Sequence, residues 1–154
     1  MNNSILIRKA NKNDLETLLK FEQGVIEAER PLDPFLAEGN LFYYNIPEMI
    51  ISENVHLIVA VSNKKLVASG YVRIENSRHY HKNLKHGYIG FMYVKPSFRG
   101  QRISNLILES LKIWAKEKEL KELRLDVYSN NLGALKAYKR FGFTESLVNM
   151  RMDI

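Results

Sequence analysis

Apolar and polar positions along the chain fall into short runs of two periods. From Tyr88 to Val94 the run is mostly apolar, which predicts a buried strand. Pro96 and Ser97 break it, and Arg99-Gly100-Gln101-Arg102 makes a basic turn. Ile103, Leu106, Ile107, Leu111 and Trp114 then recur at the spacing of one helical face. Upstream, Ile5 to Ala10 reads as a short strand. Asn13 with Glu16 three residues later predicts a helix start, and Leu15, Leu18, Leu19, Val25 and Ile26 share a face as far as Glu29. Pro31 and Pro34 end that helix, because proline cannot continue a helix interior. Residues 31–47 become a long connection carrying Phe42, Tyr43 and Tyr44, aromatics that either plug the core or serve a functional loop.

Leu57–Val61 and Leu66–Glu75 are β-rich runs joined by Ser62-Asn63-Lys64-Lys65, which predicts a hairpin, with a bulge or close packing at Gly70. Residues 76–87 are polar and hold His79, His81 and His86. They read as a solvated loop rather than a metal site, since no periodic apolar frame would hold ligands rigid. Leu123, Leu125 and Val127 alternate with Arg124, Asp126 and Tyr128 as a two-faced strand. Ser129-Asn130-Asn131 supplies an N-cap for a short helix with Leu135 and Tyr138 on its apolar side and Gly142 as its C-cap. Met150, Met152 and Ile154 alternate with Arg151 and Asp153, so Phe143 to Ile154 is predicted to close the chain as a strand. The expected order is β-α-α-β-β-β-α-β-α-β: an α/β (α+β mixed sheet) fold, a central mixed sheet flanked by helices, with residues 1–154 as a single domain.

Charge narrows function more than fold. A formal charge of +6, from 23 Lys and Arg against 17 Asp and Glu, favours an anionic ligand, either nucleic acid or a polyphosphate cofactor. The positive residues are scattered through the helices rather than interleaved with exposed aromatics, which weighs against nucleic acid. The absence of cysteine excludes disulfides, thiolate metal sites and a cysteine nucleophile. No apolar run spans a bilayer and the N-terminus lacks a signal-peptide core, so a cytoplasmic protein without a membrane partner is expected. The turn at Arg99–Arg102 has the makings of an anion site. Helix first turns present unpartnered N–H groups and a positive dipole end, to which two arginines add charge. An ordinary strand–turn–helix with solvated arginines fits the same local pattern.

Two stretches, VKPSFRGQRIS and DVYSNNLGALKAYKRFGF, resemble the GNAT superfamily of N-acetyltransferases. Members carry a strand ending in Val and an Arg-Gly-x-Gly-x-Gly/Ala turn around the pyrophosphate of acetyl-CoA. Asn follows, Tyr seven residues later, then Gly-Phe. Here those places are held by Val94, Arg99-Gly100, Asn131, Tyr138 and Gly142-Phe143. Arg102 and Ser104 replace the two later glycines, and Gly90 stands where many relatives carry a glutamate base.

The resemblance implies acetyl-CoA as co-substrate, without a metal. It would be bound by Met92, Tyr93, Val94, Arg99, Gly100, Gln101, Arg102, Ile103, Ser104, Asn105, Asn131 and Tyr138. Lys136, Lys139 and Arg140 are candidates for its 3′-phosphate. It also implies an N-acetyltransferase acting in a ternary complex, with Tyr138 protonating the departing thiolate. A phenol of pKa ~10 is matched to a thiol of ~8.5 to 10. Glu27, Glu29, Tyr43, Glu75 and Tyr128 are the acceptor-side candidates, and Glu27, Glu29, Glu75 and Asp126 the candidate bases, with the neutral fraction of the amine as the alternative to a dedicated base. The acceptor is an amine on a small molecule or protein, and a homodimer is left open. The competing reading is a catalytically degenerate member that binds an acyl-CoA or a regulatory partner.

Overall fold

A computed structural model describes residues 4–154. Five strands, β1 (Leu6–Lys9), β2 (Val55–Ser62), β3 (Lys65–Asn76), β4 (Lys85–Val94) and β5 (Leu123–Arg124), form one sheet in the order β1-β2-β3-β4-β5. The first three pairings are antiparallel and β4–β5 is parallel, so the sheet is mixed. Helices α1 (Leu15–Glu29) and α2 (Ile46–Ile51) pack on one face and α3 (Ile103–Glu117) on the other, with α4 (Leu132–Phe141) beside it. No helix among the described residues is long and apolar enough to cross a membrane.

Alternation along the strands explains the two layers. Ile58, Ala60, Val72 and Ile89 face α3, where Ile103, Ile107 and Leu111 are buried. Leu57, Val59, Tyr71 and Phe91 face α1 and α2, meeting Leu18, Phe21, Ile46 and Ile50. The β2–β3 hairpin turns at Asn63 and Lys64, both at positive φ (48° and 65°), as a two-residue primed turn requires.

The helix start lies two residues earlier than predicted. Asn11, not Asn13, opens a 3₁₀ turn over Lys12–Asp14, with Asp14 rather than Glu16 closing the capping box. Arg8 decides this by holding the Asp14 carboxylate through two bonds of 2.7 and 2.9 Å, which buries it against β1. The polar loop is also shorter than predicted. β4 begins at Lys85, and His86, opposite Glu75, is buried. At the other end, Phe143–Ile154 forms no strand. Met150, Met152 and Ile154 are exposed, because alternation alone makes no strand without a neighbour to pair with.

Candidate functional site

The site begins with an irregularity in β4. Ser69 pairs with Tyr93, and Tyr71 with Gly90, so two steps along β3 match three along β4. The extra residue is a bulge, with Phe91 at φ 54°, its ring buried and its carbonyl accepting the Ser69 hydroxyl at 3.0 Å. The predicted irregularity at Gly70 is therefore real, but the inserted residue lies on the opposite strand. Gly70 is the close-packing point, where a Cβ would come within 2.5 Å of Ile107.

Past the pairs Gly87↔Leu123 and Tyr88↔Arg124, β5 leaves β4. The expected strand Leu123–Tyr128 is thus cut to two residues, and among the described residues no strand lies beside β4 on that side from Ile89 onward. Met92, Tyr93 and Val94 lie past this divergence, with Tyr93 and Val94 paired to Ser69 and Ala68 of β3 on the other side, and a strand edge of this kind suits an extended ligand bearing amides. Tyr93 packs its ring against Phe21, centroids 4.7 Å apart, and close over Gly24 of α1.

The turn after β4 leads into α3. Pro96–Phe98 is a 3₁₀ turn, Gly100 has φ 79° and Arg102 has φ 60°. Arg102 thus takes the left-handed conformation usually left to glycine. It is the N-cap of α3 and supplies no side-chain bond, so the first-turn N–H groups are uncapped. In α2 and α4, by contrast, Asn45 and Asn131 cap their own helices, Asn131 accepting from the Ala134 N–H at 3.3 Å. The side-chain oxygen of Asn131 is therefore engaged as a cap. Arg99 is exposed and donates Nε to the Val94 carbonyl at 3.0 Å, while Gln101 and Asn105 are exposed, Ser104 is half-buried and Ile103 lies in the core. Lys136, Lys139 and Arg140 are exposed, with Lys139 3.4 Å from Glu145.

On the α1 face three phenols each donate to a carboxylate: Tyr43 to Glu29 (2.8 Å), Tyr128 to Asp33 (2.6 Å) and Tyr88 to Asp126 (3.0 Å). Arg151 adds a 3.0 Å ion pair to Asp33. The connection 31–45 is pinned here by Glu22. Its fully buried carboxylate accepts the backbone N–H groups of Tyr43 (2.8 Å) and Tyr44 (2.7 Å). Tyr44 in turn stacks on Phe91 at 4.6 Å. Its neighbours Tyr43, Asn45, Glu48, Met49 and Arg73 line a cavity of about 220 Å³.

Burial, then the charge of Glu29, pushes the Tyr138 phenol up to about 12. Burial and the Asp33 charge raise the Glu29 carboxyl, and the Tyr43 hydrogen bond opposes them. Asp33 is held low, chiefly by the Tyr128 hydroxyl.

Of the predicted acceptor-side residues, Glu29 and Tyr43 are joined by a hydrogen bond, and Tyr128 is bonded to Asp33, four residues beyond Glu29. Glu27 stands apart: two residues from Glu29 on a helix, it points away and is exposed. Glu75 is taken up by Arg73 and lies 3.5 Å from His86. Asp33 and Tyr71 carry no sequence signal, and Tyr88 shows only as the start of a buried strand, since isolated polar or aromatic residues have no period. His81 stands 2.9 Å from Arg124, and no three potential metal ligands gather among the described residues.

No curated protein matches the sequence of this chain. Among solved structures, a mutant of a Bacillus halodurans protein superposes at TM-score 0.85 with 22% identity, covering 97% of this chain and 99% of its own. A predicted acetyltransferase from Clostridium acetobutylicum, solved with acetyl-CoA, gives 0.74 at 21% identity, over 97% and 96%. Glucosamine-6-phosphate N-acetyltransferase from Arabidopsis thaliana gives 0.67 at 21%, over 97% and 98%. At these identities the likeness is one of fold. Residues 16–143 match the Acetyltransferase (GNAT) family itself, most of the length of the chain, and with the bulged, opening central strand this chain belongs to that family.

Proposed function

We propose that this protein transfers the acetyl group of acetyl-CoA to a primary amine by direct attack in a ternary complex. The observation that carries this reading is the opening of β4 from β5 beside the uncapped start of α3. The turn Arg99–Asn105 suits the pyrophosphate: helix first-turn N–H groups and two arginines meet an anion there. Met92–Val94, past the point where β5 leaves β4, would offer a strand edge to the pantetheine arm and, at the thioester, a backbone N–H for the developing oxyanion.

Tyr138 is the group assigned to protonate the leaving sulfur. At about 12 the phenol stays protonated across the working range. Against a thiol of pKa ~8.5 to 10, the transfer is uphill by about 3–5 kcal/mol until the site's charge changes. The carboxylates Glu29 and Asp33 on the α1 side suit a cationic amine as acceptor.

The test is CoA release with acetyl-CoA and a panel of spermidine, kanamycin, glucosamine 6-phosphate and a lysine peptide. A thiol reagent reads CoA alone, since the chain has no cysteine. With an acceptor found, Tyr138→Phe is expected to lower kcat by about 10²–10⁴-fold in single-turnover measurements, leaving CoA affinity nearly unchanged. Wild-type turnover in that variant refutes the assignment of Tyr138. CoA binding without release for any amine favours the non-catalytic member instead.

A further inference from the structure

Acetylation of an amine requires a proton to leave nitrogen, and β4 carries no carboxylate to take it. A Cβ at Gly90 would lie 2.5 Å from the Tyr71 hydroxyl, so the buried Tyr71 ring fills the space a side chain there would need. We propose that Glu29, the last residue of α1, takes the proton from the attacking amine, with Tyr43 holding its carboxylate in position. This rests on the acetyltransferase reading above.

Glu29 is half-buried at the C-terminal end of α1. The connection after α1 contributes Tyr43, whose hydroxyl donates to Oε2 at 2.8 Å, together with Tyr44 and Asp33. Tyr128 comes from the segment after β5 and Tyr138 from α4, and the charge of Glu29 acts on both phenols. Its neighbour Arg30 donates instead to the carbonyls of Ala37 and Gly39. Burial and the charge of Asp33 favour proton uptake by Glu29, while the Tyr43 hydroxyl holds the carboxylate in place and opposes that shift. Tyr44, on the bulge at Phe91, ties this group to the part of β4 that faces the opening.

The protons then balance. The acceptor's ammonium gives one proton to Glu29, and the freed lone pair forms the C–N bond at the thioester carbon. As the C–S bond breaks, its electrons go to sulfur, which takes the Tyr138 proton. The second nitrogen proton replaces it on the Tyr138 oxygen, and the proton on Glu29 goes to solvent. The two groups are linked. The negative charge of Glu29 helps hold the Tyr138 phenol up, so protonating Glu29 makes Tyr138 the stronger acid just before sulfur needs a proton.

Glu29→Gln and Tyr43→Phe, compared with the parent on any amine found by the panel above, test this. For Glu29→Gln, kcat/KM is expected to fall about 10²–10⁴-fold at neutral pH, with calorimetric CoA affinity unchanged and the acidic limb of the pH profile gone. For the parent, that limb should sit at one pH for amines of different basicity. Tyr43→Phe should keep the limb and shift it upward, since the hydrogen bond it deletes stabilises the charged carboxylate. Retained kcat/KM, or a limb that follows the amine's own pKa, overturns the proposal while leaving the acetyltransferase reading standing. A parent that acetylates no amine overturns both.

Discussion

Replacing Gly90 by alanine tests the geometry that keeps a side chain off the central strand. The new Cβ would stand 2.5 Å from the Tyr71 hydroxyl oxygen, 2.6 Å from Cζ and 2.8 Å from Cε1. Real Cβ contacts do not come so close, so something must move. Tyr71 has little freedom: it is 2% exposed, edge-on to Tyr44 at 5.9 Å and covered by the Arg73 guanidinium 5.5 Å from its centroid. Overpacking of this kind costs about 1–3 kcal/mol. The loss of glycine's freedom in the unfolded chain returns about 0.4–1 kcal/mol. The net loss is then about 1–2 kcal/mol, or roughly 2–8 °C in Tm at this chain length. Gly133 in α4 is the control, since a Cβ there meets nothing within 4 Å and Gly133→Ala should be neutral or stabilising. Urea unfolding can be followed through Trp114, the single tryptophan, stacked on His56 at 5.4 Å. Tyr71→Ala should by itself cost about 3–5 kcal/mol as a cavity. In that background Gly90→Ala should cost nothing, a coupling of about 1–2 kcal/mol. If Gly90→Ala is as stable as the parent, or if its penalty persists without the Tyr71 ring, the steric account fails.

Two further outcomes follow from the local geometry. Arg99→Glu puts a carboxylate at the turn assigned to the pyrophosphate, so calorimetric CoA affinity should weaken by about 1–3 kcal/mol, and unchanged affinity in a folded variant removes that assignment. The Asp14 carboxyl is held below its usual range, chiefly by the Arg8 hydrogen bond. Its stabilisation is therefore present above the unfolded value of ~3.9 and lost as pH falls through the lower folded value. Asp14→Ala should cost about 1–3 kcal/mol at pH 7, with the gap to the parent narrowing below pH ~4 in denaturant melts, and a gap that does not change with pH contradicts the pairing.

What the sequence determined by itself was short in range. The apolar run of β4, the helical face of α3 and the Asn131 and Gly142 caps of α4 are each specified within one or two turns of chain, where spacing and backbone preference act directly. The motif at Arg99-Gly100 and from Asn131 to Phe143 carried the family for the same reason. Where two local solutions had equal merit, tertiary contact chose. Asn11–Asp14 and Asn13–Glu16 both fit a capping box, and Arg8 on β1 selected the first. Strands depended still more on their neighbours. Leu123–Tyr128 has the alternation of a full strand, yet only two residues pair where β4 stays alongside, and His86 joined the sheet because β3 runs on to meet it.

The tyrosine–carboxylate pairs were the least visible part. Tyr43 stands 14 residues from Glu29, and Tyr128 stands 95 from Asp33. Glu22, read as part of a helix, became the buried anchor of a distant loop. A lone Asp or Tyr has no period to read. Its chemistry depends on desolvation and on a partner, and only the folded chain brings the two together.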